Sequence, residues 1–131
     1  VSRKVEDLTP AVAQKCRAFI AKCEEEGIDI LITCTLRTNE EQAALYAKGR
    51  TTPGPIVTNA KPGQSWHNHK QAFDFVPMRD GKPVWGTSGS DGVLWAKCGA
   101  IGESVGLEWA GRWKGKLKEM AHMQFGVKTW D

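Results

Sequence analysis

Apolar residues return at Leu8, Val12, Cys16, Phe19, Ile20 and Cys23, the spacing that lines one face of a helix. Thr9 before Pro10 supplies an N-cap followed by proline at the first helical position, and Gly27 closes the segment. The period then changes. From Ile28 to Leu36 β-branched residues dominate, with Ile28, Ile30 and Ile32 alternating, which predicts a strand that delivers Arg37 to its end. Thr38 to Glu41 reads as a capping box for a second helix running through Leu45 and Tyr46 to Gly49. Arg37 therefore falls at a strand-to-helix junction, where side chains often line a cleft.

Residues 50–66 carry three prolines and two glycines without periodicity. They predict a long loop, a kind of segment that tends to be functional in a compact domain. Ala72 to Val76 is a short strand in which Ala72, Asp74 and Val76 share one face and Phe73 and Phe75 turn to the core. Asp80-Gly81 predicts a hairpin turn into a strand around Pro83 to Trp85. Ser88 to Asp91 is turn-like. Val93, Leu94, Ala96, Cys98, Ile101 and Val105 then indicate a third helix ending at Gly106, although Gly99 and Gly102 interrupt it. Leu107 to Trp109 and Ala121 to Phe125 read as the last strands, with a basic exposed loop at Gly111 to Lys118 between them. With no repeat, low-complexity tract or linker, the 131 residues predict one domain. Its class is α+β, with helices packed on one side of a small, mainly antiparallel sheet.

The chemistry gathers in Ser65 to Phe75, which holds two of the three histidines, His67 and His69. Asp74 sits there among Phe73, Phe75 and Val76, and a carboxylate in such company needs a cation or several donors. The third histidine, His122, follows Glu119 by three residues. Two imidazoles, a carboxylate and a spare glutamate are the components of a catalytic zinc site, with three protein ligands and a fourth position for water. His67 and Asp74 would face opposite ways in one strand, so a bend between them is required, and Asn68 to Gln71 can supply it. Glu119 and His122 share a side only if the chain turns there. The plainer readings are a surface histidine beside a structural aspartate, a solvated Glu119 in a basic run, and an Arg37 paired with Glu40 or Glu41.

Charge narrows the partners. Eighteen Lys and Arg against fifteen Asp and Glu suit weak attraction to an anionic cell wall, and no nucleic-acid motif accompanies them. No apolar run approaches the roughly 18 residues of a membrane span, and no basic-then-apolar leader is evident, so membrane insertion is not expected. Cys16, Cys23, Cys34 and Cys98 occupy apolar positions without a C-x-x-C pair and read as buried free thiols. Cys16 and Cys23 share a helix face but stand about 10 Å apart, too far to bridge. A cysteine hydrolase using Cys34 or Cys98 is disfavoured because buried thiols are inert. Six tryptophans are expected mostly in the core, with Trp66, Trp109 and Trp113 as candidate groove walls.

Ser65-x-His67, Ala72-x-Asp74 and Glu119-x-x-His122, preceded by Arg37 in its strand-to-helix turn, resemble the zinc D-Ala-D-Ala carboxypeptidase and L-alanyl-D-glutamate endopeptidase family. The resemblance runs from about Leu36 to Phe125. Val57 to Ala60 and Pro62-Gly63 are most similar to its phage endolysin branch. It implies a Hedgehog/DD-peptidase-like fold, a Zn2+ ion on His67, Asp74 and His122, Glu119 as general base and Arg37 as the group that holds the scissile carbonyl oxygen. Beside these, Ser65 is expected to hydrogen-bond a ligand from outside or to touch substrate, His69 to face solvent or touch substrate, and Trp66 and Trp109 to wall the groove. The implied substrate is the peptidoglycan stem peptide, cut at L-alanyl-D-glutamate during host lysis by a monomer made in the host cytoplasm and released with help such as a holin. A D-Ala-D-Ala carboxypeptidase or dipeptidase, or a wall-binding module with structural zinc, are the alternatives. One position departs from the family: many members have glycine between the first ligand and Ala-x-Asp, where this chain has Lys70.

Overall fold

A computed structural model describes residues 1–115 and 118–130. Helix α1 (Pro10–Glu25) leads into strand β1 (Asp29–Cys34), then α2 (Asn39–Ala47), β2 (Ala72–Arg79) and the short β3 (Lys82–Pro83). Helix α3 (Gly89–Ser104), β4 (Glu108–Trp109) and β5 (His122–Gln124) follow. The five strands form one sheet ordered β1-β2-β5-β4, with β3 on the β2 edge that it shares with β5. Every pairing is antiparallel, as the α+β reading expects.

The period-2 alternation of β2 sorts its side chains between two faces. Phe73 and Phe75 are fully buried, with ring centroids 5.9 Å and 5.0 Å from Phe19 of α1. Phe75 also lies 5.3 Å from Trp95 of α3. Both helices therefore cover the same side of the sheet, and Val12, Cys16 and Cys23 complete the packed face of α1. Burying a side chain of this size contributes roughly 1.5–3 kcal/mol. Asp74 looks out from the other side.

A bulge in β1 decides which residues join it there. Ile32 pairs with Phe75, but the next pair is Cys34 with Asp74, so Thr33 is the extra residue. One inserted residue reverses the facing of everything after it. Ile32 belongs to the core and Cys34, two positions later, to the opposite face.

Helix α3 starts earlier than its apolar pattern does, at Gly89 rather than near Val93, with Ser88 as N-cap. Its interior glycines have tertiary causes. A Cβ on Gly99 would meet the Trp109 ring at 2.2 Å, and one on Gly102 would meet Met123 Cε at 2.3 Å. The predicted hairpin is present, with Asp80 and Gly81 both at positive φ, the backbone a tight two-residue turn needs. Its second strand ends at Pro83, so Trp85 lies outside the sheet and is exposed. Residues 48–65 contain no helix or strand. Arg50 holds them through Tyr46 O, Thr58 O and Asn59 Oδ1. Of the loop predicted at 111–118, Ala110–Arg112 form a 3-10 turn, while Lys116 and Leu117 lie outside the described residues.

Candidate metal centre

His67 is presented by a 3-10 turn, Trp66–His69, capped from both sides. Ser65 Oγ accepts from the His67 amide at 3.2 Å, and Asn68 Oδ1 accepts from the Ser65 amide at 3.2 Å. The Asn68 amide group donates to Arg37 O at 2.9 Å, fastening the turn to the end of β1. Lys70 then takes a left-handed conformation, φ 62°, which reverses the chain into β2. This is the bend that the His67–Asp74 spacing required. Lys70 bears there the Cβ penalty that a glycine would escape.

Asp74 and His122 meet because β2 and β5 pair them directly. His122 enters β5 from a turn at Met120 and Ala121, closed by its own amide on Glu119 O at 3.4 Å. That turn brings Glu119 to the same side, its Oε2 3.7 Å from His122 Nδ1.

Three candidate ligand atoms converge on this face. His67 Nε2 lies 3.1 Å, and His122 Nδ1 3.4 Å, from the same Asp74 oxygen, Oδ1. The far nitrogen of each ring is already engaged: His67 Nδ1 donates to Thr35 O at 3.0 Å, and His122 Nε2 donates to Gln124 Oε1 at 2.8 Å. Partners of this kind fix the ring orientation and tautomer of metal-binding histidines. Two imidazole nitrogens and a carboxylate oxygen are donors that suit zinc. Burial works against charge on His67, but its bonds to Asp74 and Cys34 outweigh it and raise the pKa to about 10. Burial likewise opposes ionisation of Asp74, yet the two histidines hold its carboxyl well below the usual carboxylate range.

Cys34 is a second neighbour of His67. It forms with His67 and Asp74 a group whose ligand atoms all lie within 4.8 Å of one another. That group competes with the histidine pair for the role of ligand set, and the ring geometry favours the histidines. The Cys34 sulfur lies 3.6 Å from Nδ1, the nitrogen bonded to Thr35 O, whereas Nε2 faces Asp74. The thiol thus stands behind the ring, and His122 stands on the side of Asp74.

A cavity of about 340 Å³ opens over these groups, bordered by Arg37, Leu45, Ser65, Trp66, Trp113 and Glu119. Arg37 has no carboxylate partner among the described residues; neither Glu40 nor Glu41 reaches it. Its Nη1 donates to the buried Gln42 at 3.0 Å, and Gln42 in turn donates to Ala60 O at 2.8 Å. A larger cleft of about 710 Å³ lies beside this cavity but contains neither His67, Asp74 nor Arg37.

Of the other predicted contacts, Ser65 caps the His67 turn and Trp66 lines the cavity. Two depart from expectation. His69 is half-buried and outside the cavity, where its Nε2 donates to Gly63 O at 2.7 Å and its ring stacks on Trp130 at 3.8 Å. Trp109 is core: its ring lies against Gly99 and Gly111, and its Nε1 donates to Met120 O at 2.8 Å. Trp113 walls the cavity instead, 5.8 Å from His122. Sequence reasoning missed Gln124 and Gln42, both buried, as well as the Thr35 carbonyl. A glutamine two residues after a candidate ligand in a strand shares its face, and this was the available signal for Gln124.

The chain is 38% identical over 124 residues to the peptidoglycan L-alanyl-D-glutamate endopeptidase CwlK of Bacillus subtilis, spanning 90% of this chain and 73% of that protein. It is 37% identical over 126 residues to the L-alanyl-D-glutamate peptidase of Listeria phage A118, spanning 95% of this chain but only 39% of the phage protein. Among solved structures, the Serratia marcescens L-Ala D-Glu endopeptidase ChiX superposes with a TM-score of 0.69 at 19% identity, covering 93% of this chain and 83% of that one. The LD-carboxypeptidase LdcB superposes at 0.61 with 21% identity, covering 90% and 65%. These two likenesses establish the fold. Residues 5–124 match the family described as VanY, D-alanyl-D-alanine carboxypeptidase, and with nine-tenths of its length inside that match the chain belongs to this peptidase family.

Proposed function

We propose that the chain is a zinc-dependent endopeptidase of peptidoglycan that hydrolyses the L-alanyl-D-glutamate bond of the stem peptide. The observation that carries this reading is the engagement of both far histidine nitrogens, which leaves His67 Nε2 and His122 Nδ1 turned onto one Asp74 oxygen. His67, Asp74 and His122 are the zinc ligands. A bound zinc ion supplies Lewis acidity and lowers the pKa of water toward about 7.

The remaining roles belong to the chain. The exposed Glu119 carboxylate borders the cavity beside His122. It takes the proton of the attacking water and passes it to the leaving amine. Arg37, fixed by Gln42 and without a carboxylate to neutralise it among the described residues, holds the scissile carbonyl oxygen as negative charge develops there. Trp66 and Trp113 exclude water from the walls.

Two relatives that are 38% and 37% identical to this chain over the aligned residues are both named for the L-alanyl-D-glutamate bond, one of them from a phage. Lysis of a host wall by a monomer, made in the host cytoplasm and released with the help of a holin or a similar route, accords with that. No helix among the described residues is long and apolar enough to cross a membrane. Mass spectrometry of muropeptides after digestion tests the bond directly. New D-glutamate amino termini are expected; release of terminal D-alanine alone would make the chain a carboxypeptidase instead.

A further inference from the structure

We propose that the cleft of about 710 Å³ beside the metal centre is a glycan subsite, which receives the N-acetylated sugar bonded to the first alanine of the stem peptide. The proposal rests on the endopeptidase reading above and adds a substrate requirement to it.

Position is the first argument. Trp113 and Gln124 line both this cleft and the catalytic cavity, so one substrate can straddle them. Both residues touch the centre: Gln124 binds His122 Nε2, and the Trp113 ring lies 5.8 Å from the His122 ring. In the proposed substrate one alanine and the sugar's lactyl group separate the sugar ring from the scissile bond. At about 3.3–3.6 Å per extended residue, the sugar falls in the space adjoining the cavity.

Lining chemistry is the second. Leu107 and Trp109 form a buried floor, while Phe125 and Val127 leave apolar surface open. Carbon faces of a sugar pack on such a surface, and its hydroxyl and acetamido groups need donors and acceptors at the rim. Glu108 and Arg112 stand there, with Glu108 accepting from Trp113 Nε1 at 2.8 Å and Arg112 paired to Glu103 at 2.9 Å. Two lining carboxylates, Glu103 and Glu108, are balanced by Arg112 and by Lys15, whose Nζ stands 4.4 Å over the Phe125 ring, so the cleft carries no formal net charge and suits an uncharged ligand. The muramyl sugar is uncharged, because its lactyl carboxyl is consumed in the amide to alanine.

The test compares initial rates on two substrates, a free L-Ala-D-Glu-containing stem peptide and the same peptide joined to an N-acetylmuramyl sugar. The intact chain should prefer the sugar-linked peptide by about ten-fold in kcat/KM, the scale of one good aromatic contact. Val127→Arg, which fills the cleft, and Phe125→Ala, which removes a wall, should each abolish the preference and leave the rate on the free peptide unchanged. Equal rates on the two substrates with the unaltered chain overturn the glycan subsite while leaving the endopeptidase reading intact. So does an equal loss on both substrates in the variants, which would place peptide in the cleft. Failure to cut either substrate between alanine and glutamate overturns both readings.

Discussion

His122 Nδ1 lies 3.4 Å from Asp74 Oδ1, and sheet register sets that approach, since the two residues are direct partners across β5 and β2. Backbone pairing therefore does the positioning, and His122→Ala should leave the sheet formed while removing a ligand. Metal analysis of the purified variant is expected to show loss of bound zinc together with loss of activity. Full zinc occupancy would take His122 out of the ligand set.

Glu119 differs in being exposed and beside the ligands instead of among them. Glu119→Ala should retain zinc and lose activity by about 10²–10⁴-fold, the usual contribution of a positioned acid–base group. Measured side by side, rate and metal content separate this effect from that of His122→Ala. Normal lysis of purified peptidoglycan by the variant would end the general-base assignment.

Gln124 touches no substrate-reactive atom but accepts the Nε2 proton of His122. Gln124→Leu keeps the approximate volume and removes the acceptor. Metal affinity should fall by roughly 10–100-fold, as for other partners of metal-binding histidines. Titration with a competing chelator reads this out, and Gln124→Glu, which restores an acceptor, should recover most of it. Unchanged affinity in the leucine variant would show that the ring needs no such anchor.

Lys70 occupies a left-handed backbone position at φ 62°. Lys70→Gly should raise stability by about 0.5–1 kcal/mol, because relief of the Cβ clash exceeds the added freedom of the unfolded chain. Denaturant midpoints of the two proteins decide it. A lower midpoint for the glycine variant would mean that the lysine side chain contributes more than its backbone costs.

Burial pushes the Cys16 thiol up to about 12, only partly opposed by Arg17. At pH 8 this leaves roughly one thiolate in ten thousand, and the thiolate is the reactive form. The native protein should leave Cys16 unlabelled by a thiol reagent at pH 8, and denaturant should expose it. Rapid native labelling, located by peptide mapping, would contradict its place in the core.

Much of this architecture could be read locally. The α1 stripe, the Thr38–Glu41 capping box and the Asp80-Gly81 turn are short-range patterns, and each appears where its residues place it. His67, Asp74 and His122 stood out in the sequence because a carboxylate set among aromatics needs partners, and the fold does bring the three side chains together. What escaped depends on contacts between distant segments. Gly99 and Gly102 look like helix breakers until Trp109 and Met123 are seen lying against them. The same contact explains why Trp109 is core. The bulge at Thr33 carries no turn residue to announce it, so the placement of Cys34 behind His67 was hidden. His69 sits in the motif but finds its stacking partner sixty-one residues later, at Trp130.

Residues 34, 74 and 122 stand side by side on three successive strands, β1, β2 and β5. On the proposed ligand set, hydrolytic competence should be a late product of chain closure, and a fragment ending before the final strand is expected to lack it. Loss of that last strand pairing, by heat or by mutation, should extinguish turnover before the helical core of α1 and α3 gives way.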